Sequence, residues 1–184
     1  MVKIWTVGHS TRSAEEFGEI LRAHGIEVLV DVRTYPGSRR YPQFNREALA
    51  EQLASEKIRY QHEPRLGGRR TPRADSHNTT WRNAQFRGYA DHMETDDFKN
   101  GVRELLELAS TKRVAIMCAE AVWWRCHRRI VADYLMAAGE AVFHIMGPKK
   151  VEPARLTRGA SIDAGGMLTY PPSALQNKKT APNG

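Results

Sequence analysis

Residues 118–129 hold the densest group of chemically versatile side chains: two cysteines, a glutamate, a histidine and three arginines. A cysteine beside arginines and a helix amino end has a lowered pKa, so Cys118 could act as a thiolate nucleophile. Glu120 could act as a general acid or base. Two structural alternatives stay open, because free cysteines often pack as small apolar side chains and Glu120 could pair with Arg128 or Arg33.

A metal centre is a further alternative, built from Cys118, Cys126 and His127 with His9 or His62 as a fourth ligand. Cys126 is expected in the first turn of a helix, where adjacent side chains diverge by about 100°. The seven-residue gap between the cysteines is not a usual zinc spacing, and no CxxC occurs. These observations predict no metal and no cofactor.

The elements around these residues alternate between strand and helix. Short apolar runs typical of buried strands occupy residues 3–7, 28–30, 58–62, 114–117 and 141–146. Amphipathic segments lie between them, and Ser13 with Glu16 has the spacing of a capping box. The pattern predicts a single α/β domain with a mostly parallel sheet of about five strands and helices on both faces. This domain is expected to span residues 1–147. Residues 148–184, rich in proline and glycine, should form an irregular C-terminal arm, packed on the domain or partly disordered.

Polar side chains follow four of the predicted strands, at the point where each strand ends. They are His9 and Ser10, Asp31 and Arg33, His62 and Glu63, and Cys118 and Glu120. Open parallel sheets bind ligands at the carboxyl ends of their strands. We therefore expect one site at this edge, where Asp31 and Glu120, with Cys118 as a candidate nucleophile, perform the chemistry.

The charge of the chain favours an anionic partner. The formal net charge is +7, and residues 33–87 alone contain twelve basic and five acidic side chains. The guanidinium group of arginine binds phosphate or carboxylate through two hydrogen bonds. An arginine-rich surface therefore suits a phosphate-bearing ligand, a nucleotide or a nucleic acid. The candidate anion-binding residues are His9, Ser10, Arg33, Arg39, Arg40, Arg69, Arg125, Cys126, His127 and Arg128. Aromatic side chains within the basic stretch could stack on bases.

Membrane and secreted classes are not expected. No apolar run approaches the length of a transmembrane helix, and the first residues lack the apolar core of a signal peptide. Two cysteines without such a signal predict reduced thiols. A cytoplasmic location with no membrane partner follows.

Several ordered motifs resemble a known family. They are GHSTRSAEEF, LVDVRTYPGSRRYPQF, HEPRLGG, FRGYADHM, CAE and CHR. Together they are similar to the uncharacterised proteins called "domain of unknown function 488", over roughly residues 4–145. The resemblance implies the sheet topology predicted above and a shared site near CAE and CHR, but no reaction. A weaker similarity connects the strand ending in Cys118 to rhodanese-like and phosphatase folds. The segment CAEAVWWRCHR departs from their compact loops because it is longer and contains no glycine.

The leading hypothesis is an enzyme, a hydrolase or transferase. It has an Arg-rich anion-binding pocket at the carboxyl edge of the sheet and acts on a nucleotide or nucleic acid. The first alternative is a non-catalytic nucleic-acid-binding module. The second is a rhodanese-like thiol-dependent transferase that uses Cys118.

Overall fold

The structure is a computed structural model and describes residues 1–172. Its strands are β1 (Lys3–Gly8), β2 (Val28–Asp31), β3 (Arg59–His62), β4 (Val114–Cys118), β5 (Ala141–Gly147), β6 (Lys150–Pro153), β7 (Ser161–Ile162) and β8 (Leu168–Thr169). Its helices are α1 (Ala14–Ala23), α2 (Arg46–Ser55), α3 (Ala84–His92), α4 (Asp96–Ala109) and α5 (Arg128–Ala137). Three single 3-10 turns lie at Pro42–Phe44, Pro64–Leu66 and Trp123–Arg125.

Six strands form the main sheet in the order β3-β2-β4-β1-β5-β6. The four neighbouring pairs of this sheet from β3 across to β5 are parallel, whereas β6 runs antiparallel to its neighbour β5. The predicted α/β fold with a mostly parallel sheet is confirmed. The sixth strand lies in the segment predicted as irregular, beyond residue 147.

Alternate strand residues bury opposite faces of the sheet. In β2, Val28 and Val30 pack with the apolar residues of α3, α4 and α5, while Leu29 packs with those of α1 and α2. Strands buried on both faces read as continuous apolar runs, which is why the sequence marks β1, β2 and β4 so clearly. The predicted capping box is also confirmed, because Ser13 accepts from the Glu16 N–H and Glu16 from the Ser13 N–H.

The segment after β6 lies against α5. The carboxylate of Asp133 accepts a hydrogen bond from the Tyr170 hydroxyl at 2.6 Å and another from the Thr157 N–H at 2.9 Å. Leu168 and Tyr170 are buried among the residues of α3–α5. The last part of the predicted arm, residues 173–184, lies outside the described residues. Within residues 1–172, no helix has both the length and the apolar character needed to cross a bilayer.

Candidate functional site

The loop after β4 is held against the end of β1. The N–H of His9 donates to the carbonyl of Cys118 at 3.0 Å, and the N–H of Ser10 donates to that of Ala119 at 2.9 Å. Parallel pairing therefore continues past both strand ends. A Cβ on Gly8 would lie 2.7 Å from the carbonyl carbon of Glu120, so only glycine allows this approach.

A cavity of about 410 Å³ opens at this edge of the sheet. It is lined by Arg33, Thr34, Tyr35, Gly68, Arg69, Gln85, Phe86, Cys118, Ala119, Glu120, Arg125, Cys126 and His127. These residues come from the loops after β2, β3 and β4 and from the start of α3. Seven of the residues singled out from the sequence meet here: Arg33, Arg69, Cys118, Glu120, Arg125, Cys126 and His127.

Cys118, Cys126 and His127 form a compact cluster at the cavity wall. Their two Sγ atoms and one imidazole nitrogen all lie within 4.8 Å of one another. His127 Nδ1 is 3.6 Å from Cys126 Sγ and 3.9 Å from Cys118 Sγ. Cys126 is extended, with φ −123° and ψ 150°, and α5 begins only at Arg128. The expected position of Cys126 in a helical turn is therefore wrong, and so is the inferred divergence of the two adjacent side chains.

The pKa values of the two thiols shift in opposite directions. Burial raises the pKa of Cys126, but the hydrogen bond from Cys118, the contact with His127 and the charge of Arg128 together hold it well below its ordinary value. The hydrogen bond that Cys118 gives to Cys126, together with burial, raises the pKa of Cys118. Of the two cysteines, Cys126 therefore has the lowered pKa, whereas the lowered pKa was expected for Cys118.

Arg128 supports this cluster from behind. The residue is 1% exposed and is not part of the cavity lining. Its backbone N–H and its Nε donate to Cys126 Sγ at 3.5 and 3.4 Å. Its remaining guanidinium nitrogens donate to the carbonyl of Glu120 and to Thr6 Oγ1. These contacts make Arg128 a positioning residue, in contrast to the expected contact with a ligand anion.

Asp31 and Arg33 form a buried ion pair under the cavity. Asp31 is fully buried, and its carboxylate accepts hydrogen bonds from the backbone N–H and the Nε of Arg33. Arg33 Nη2 makes the closest contact, at 2.6 Å from Asp31 Oδ2. The Tyr60 hydroxyl donates to the same carboxylate at 2.7 Å. Arg33 also donates to the carbonyl of Phe44. Asp31 therefore does not reach the cavity, where it was expected to act, and instead fixes Arg33 in the wall.

Arg69, Arg125 and Glu120 are the charged lining residues without an ion-pair partner among residues 1–172. The guanidinium of Arg69 lies 5.6 Å from the ring centre of Tyr35. Neither salt bridge considered for Glu120 forms, since only its backbone carbonyl meets Arg128. The exposed carboxylate of Glu120 remains free to act on a ligand in the cavity.

Five expected ligand-binding residues lie outside the lining: Arg128, as described above, and His9, Ser10, Arg39 and Arg40. His9 is buried and stacks on Phe44 at 4.2 Å, and burial lowers its pKa to about 4. Arg39 and Arg40 are exposed in the loop after β2. Three lining residues, Thr34, Gln85 and Ala119, were not among the candidates; Thr34 and Ala119 lie within the family motifs quoted above, whereas no motif includes Gln85.

Comparison with known proteins gives one match. A family model described as a domain of unknown function, DUF488, matches residues 13–135. Searches of curated proteins and of solved structures found no match. The matched range contains β2, β3, β4 and all thirteen residues that line the cavity. The chain therefore belongs to the DUF488 family, which the motifs of its sequence had indicated.

Proposed function

We propose that this chain is an enzyme that binds a phosphate-bearing ligand, a nucleotide or a segment of nucleic acid, in the cavity at the carboxyl edge of the sheet. One observation carries the proposal. The cavity brings together three kinds of side chain. Arg69 and Arg125 have no ion-pair partner among residues 1–172, and they lie beside the aromatic rings of Tyr35 and Phe86. The same lining contains Cys118, Glu120, Cys126 and His127.

The two arginines supply the anion-binding part of the proposal. Arg33 brings no net charge, because Asp31 neutralises it, so Arg69 and Arg125 give the cavity its positive character. Glu120 is the one carboxylate of the lining. A guanidinium binds phosphate through two parallel hydrogen bonds, and it does so most strongly when no carboxylate competes for it.

The aromatic residues supply the base-binding part. Tyr35 is 71% exposed, although apolar rings of its size are usually buried. Phe86 and Gln85 face the same space from the start of α3. Aromatic faces bind bases by stacking, and an amide can hydrogen-bond their edges. A cavity of about 410 Å³ has the size of a small-molecule site.

Glu120 is the candidate general acid or base, and the reaction would be hydrolysis or group transfer at the base, sugar or phosphate. Cys118 and Cys126 are both free thiols close to each other. Such a pair persists in a reducing compartment, which supports our proposal of a cytoplasmic location.

The binding test uses a panel of nucleotides, single-stranded DNA and RNA over a salt series. We expect Arg69→Ala and Arg125→Ala each to weaken binding by about 10-fold and to reduce its salt dependence. Arg46→Ala is the matched control, because Arg46 is exposed on α2 and outside the lining. Equal affinity of the wild type and both cavity variants would contradict the proposal.

The turnover test scores product formation with the same panel. We expect Glu120→Gln to abolish turnover while binding persists. Loss of turnover in Cys118→Ser with full activity in Glu120→Gln would instead indicate the thiol-dependent transferase. Binding without turnover in the wild type would leave a non-catalytic nucleic-acid-binding module.

A further inference from the structure

We infer that Cys118, Cys126 and His127 bind one zinc ion at the wall of the cavity. The inference goes beyond the proposed function, because metal binding here does not depend on which ligand enters the cavity. It begins from three side chains, one at the end of β4 and two in the loop before α5, whose ligand atoms converge on one another.

The distances suit tetrahedral coordination. Zinc binds sulfur at about 2.3 Å and imidazole nitrogen at about 2.0–2.1 Å, which sets sulfur–nitrogen separations of about 3.6 Å. His127 Nδ1 lies 3.6 Å from Cys126 Sγ and 3.9 Å from Cys118 Sγ. All three ligand atoms fall within 4.8 Å of one another. The two sulfur–nitrogen distances therefore match a zinc site to within about 0.3 Å, and the limit of 4.8 Å on the sulfur–sulfur distance lies about 1 Å above the roughly 3.8 Å of a tetrahedral site.

The donor set selects the metal. Two sulfurs and one imidazole nitrogen suit zinc, whereas magnesium and calcium require oxygen ligands. His127 itself is more than nine-tenths buried, yet its Nε2 has no hydrogen-bond partner within the described chain and its Nδ1 meets only sulfur. Because Nδ1 makes no hydrogen bond to oxygen or nitrogen within residues 1–172, its lone pair is available for a metal bond.

The surroundings match those of a metal ligand. Arg128 donates its backbone N–H and its Nε to Cys126 Sγ, and such N–H···S contacts orient thiolate ligands and balance their charge. A Cβ on Gly68 would lie 2.7 Å from His127 Cγ, so the backbone of Gly68 packs directly against the imidazole and fixes its orientation.

The fourth position of the ion faces the cavity, because all three ligands belong to its lining. Three protein ligands with one open position are typical of catalytic zinc sites, whereas structural sites have four. Zinc acidifies a water bound at such a position. Glu120, on the same lining and two residues from Cys118, is the carboxylate that would accept the proton of that water.

The test measures zinc in the full-length protein, purified after expression with added zinc, by elemental analysis. We expect about one zinc ion per chain. Cys118→Ser, Cys126→Ser and His127→Asn should each reduce the zinc content to near zero. His77→Asn is the matched control, since this exposed histidine pairs with Glu94 and should leave the zinc content unchanged. Cobalt added in place of zinc should give the absorption bands of a tetrahedral thiolate complex.

A wild-type protein that takes up neither zinc nor cobalt would overturn the inference, as would an unchanged zinc content in the three variants. If a variant fails to fold, the wild-type protein alone provides the test. Chemical modification of its two thiols should then release the zinc, which a chromophoric chelator detects. The two proposals fail separately. If a zinc-free wild type still binds nucleotides and this binding depends on Arg69 and Arg125, the proposed function stands without the zinc site. If the wild type binds zinc but no nucleotide, the zinc site stands without the proposed function.

Discussion

Gly8 sets how closely the loop after β4 can approach the end of β1. A methyl group added there would lie 2.7 Å from the carbonyl carbon of Glu120 and 3.0 Å from Ala121 Cα. Carbon atoms in normal contact are about 3.5–4.0 Å apart, so Gly8→Ala must displace the loop backbone by about 1 Å. The opposing atoms are main chain, which cannot turn aside as a flexible side chain does.

We expect Gly8→Ala to lower the free energy of unfolding by about 3 kcal/mol, the upper end of the usual cost of overpacking. For a chain of this size, that change lowers the Tm by about 6–12 °C. Because the displaced loop also leads to Arg125, the variant should also lose affinity for the nucleotide panel. Circular dichroism during heating and a binding titration measure the two effects.

Gly37→Ala is the matched control, since an added Cβ at Gly37 meets no atom within 4 Å. Its expected effect on the free energy of unfolding is at most about 1 kcal/mol, in the stabilising direction. A Tm for Gly8→Ala within about 2 °C of the wild type would refute the reasoning, because the loop would then yield without cost.

Two further predictions concern buried ionisable groups. Asp31→Asn leaves the buried charge of Arg33 without its counter-charge, so denaturant titration should show a loss of about 3–5 kcal/mol, and a loss below about 1 kcal/mol would contradict this account of the pair. Burial lowers the pKa values of His9 and His144 from 6.5 to about 4, so only the unfolded chain takes up these protons between those pH values. The free energy of unfolding should therefore fall as pH drops from 6.5 towards 4, with no such contribution above 6.5. Denaturant titrations at several pH values should show that the free energy of unfolding falls less steeply in His144→Gln than in the wild type. Identical pH profiles of the two proteins would contradict this prediction.

The sequence predicts the sheet and the edge where the site forms, because both follow from short apolar runs and from the residues after them. β6 was not predicted, since Lys150–Pro153 is mostly exposed and carries no apolar alternation. Its position is set by hydrogen bonds to β5, and such backbone pairing leaves no mark on side-chain composition.

The details of the site could not be predicted, for two physical reasons. The side-chain directions of Cys126 and His127 depend on the extended backbone that follows the 3-10 turn at Trp123–Arg125, and no periodic pattern marks that change. The number of arginines also does not reveal their partners. Arg33 and Arg128 are fixed by internal contacts, whereas Arg69 and Arg125 have no ion-pair partner among residues 1–172, and only tertiary distances separate these cases.

The place of β1 in the sheet has a consequence for the synthesis of the protein. Ile4 of β1 pairs with Val114 of β4 and with Val142 of β5, so both neighbours of this strand leave the ribosome long after it does. Until then β1 is an apolar strand with open edges, a state that chaperones recognise and that favours aggregation. Long-range parallel pairs of this kind also form slowly. The cavity, whose lining includes Cys118 at the end of β4 and the loop bonded to His9 and Ser10, can therefore form only after β4 has been synthesised.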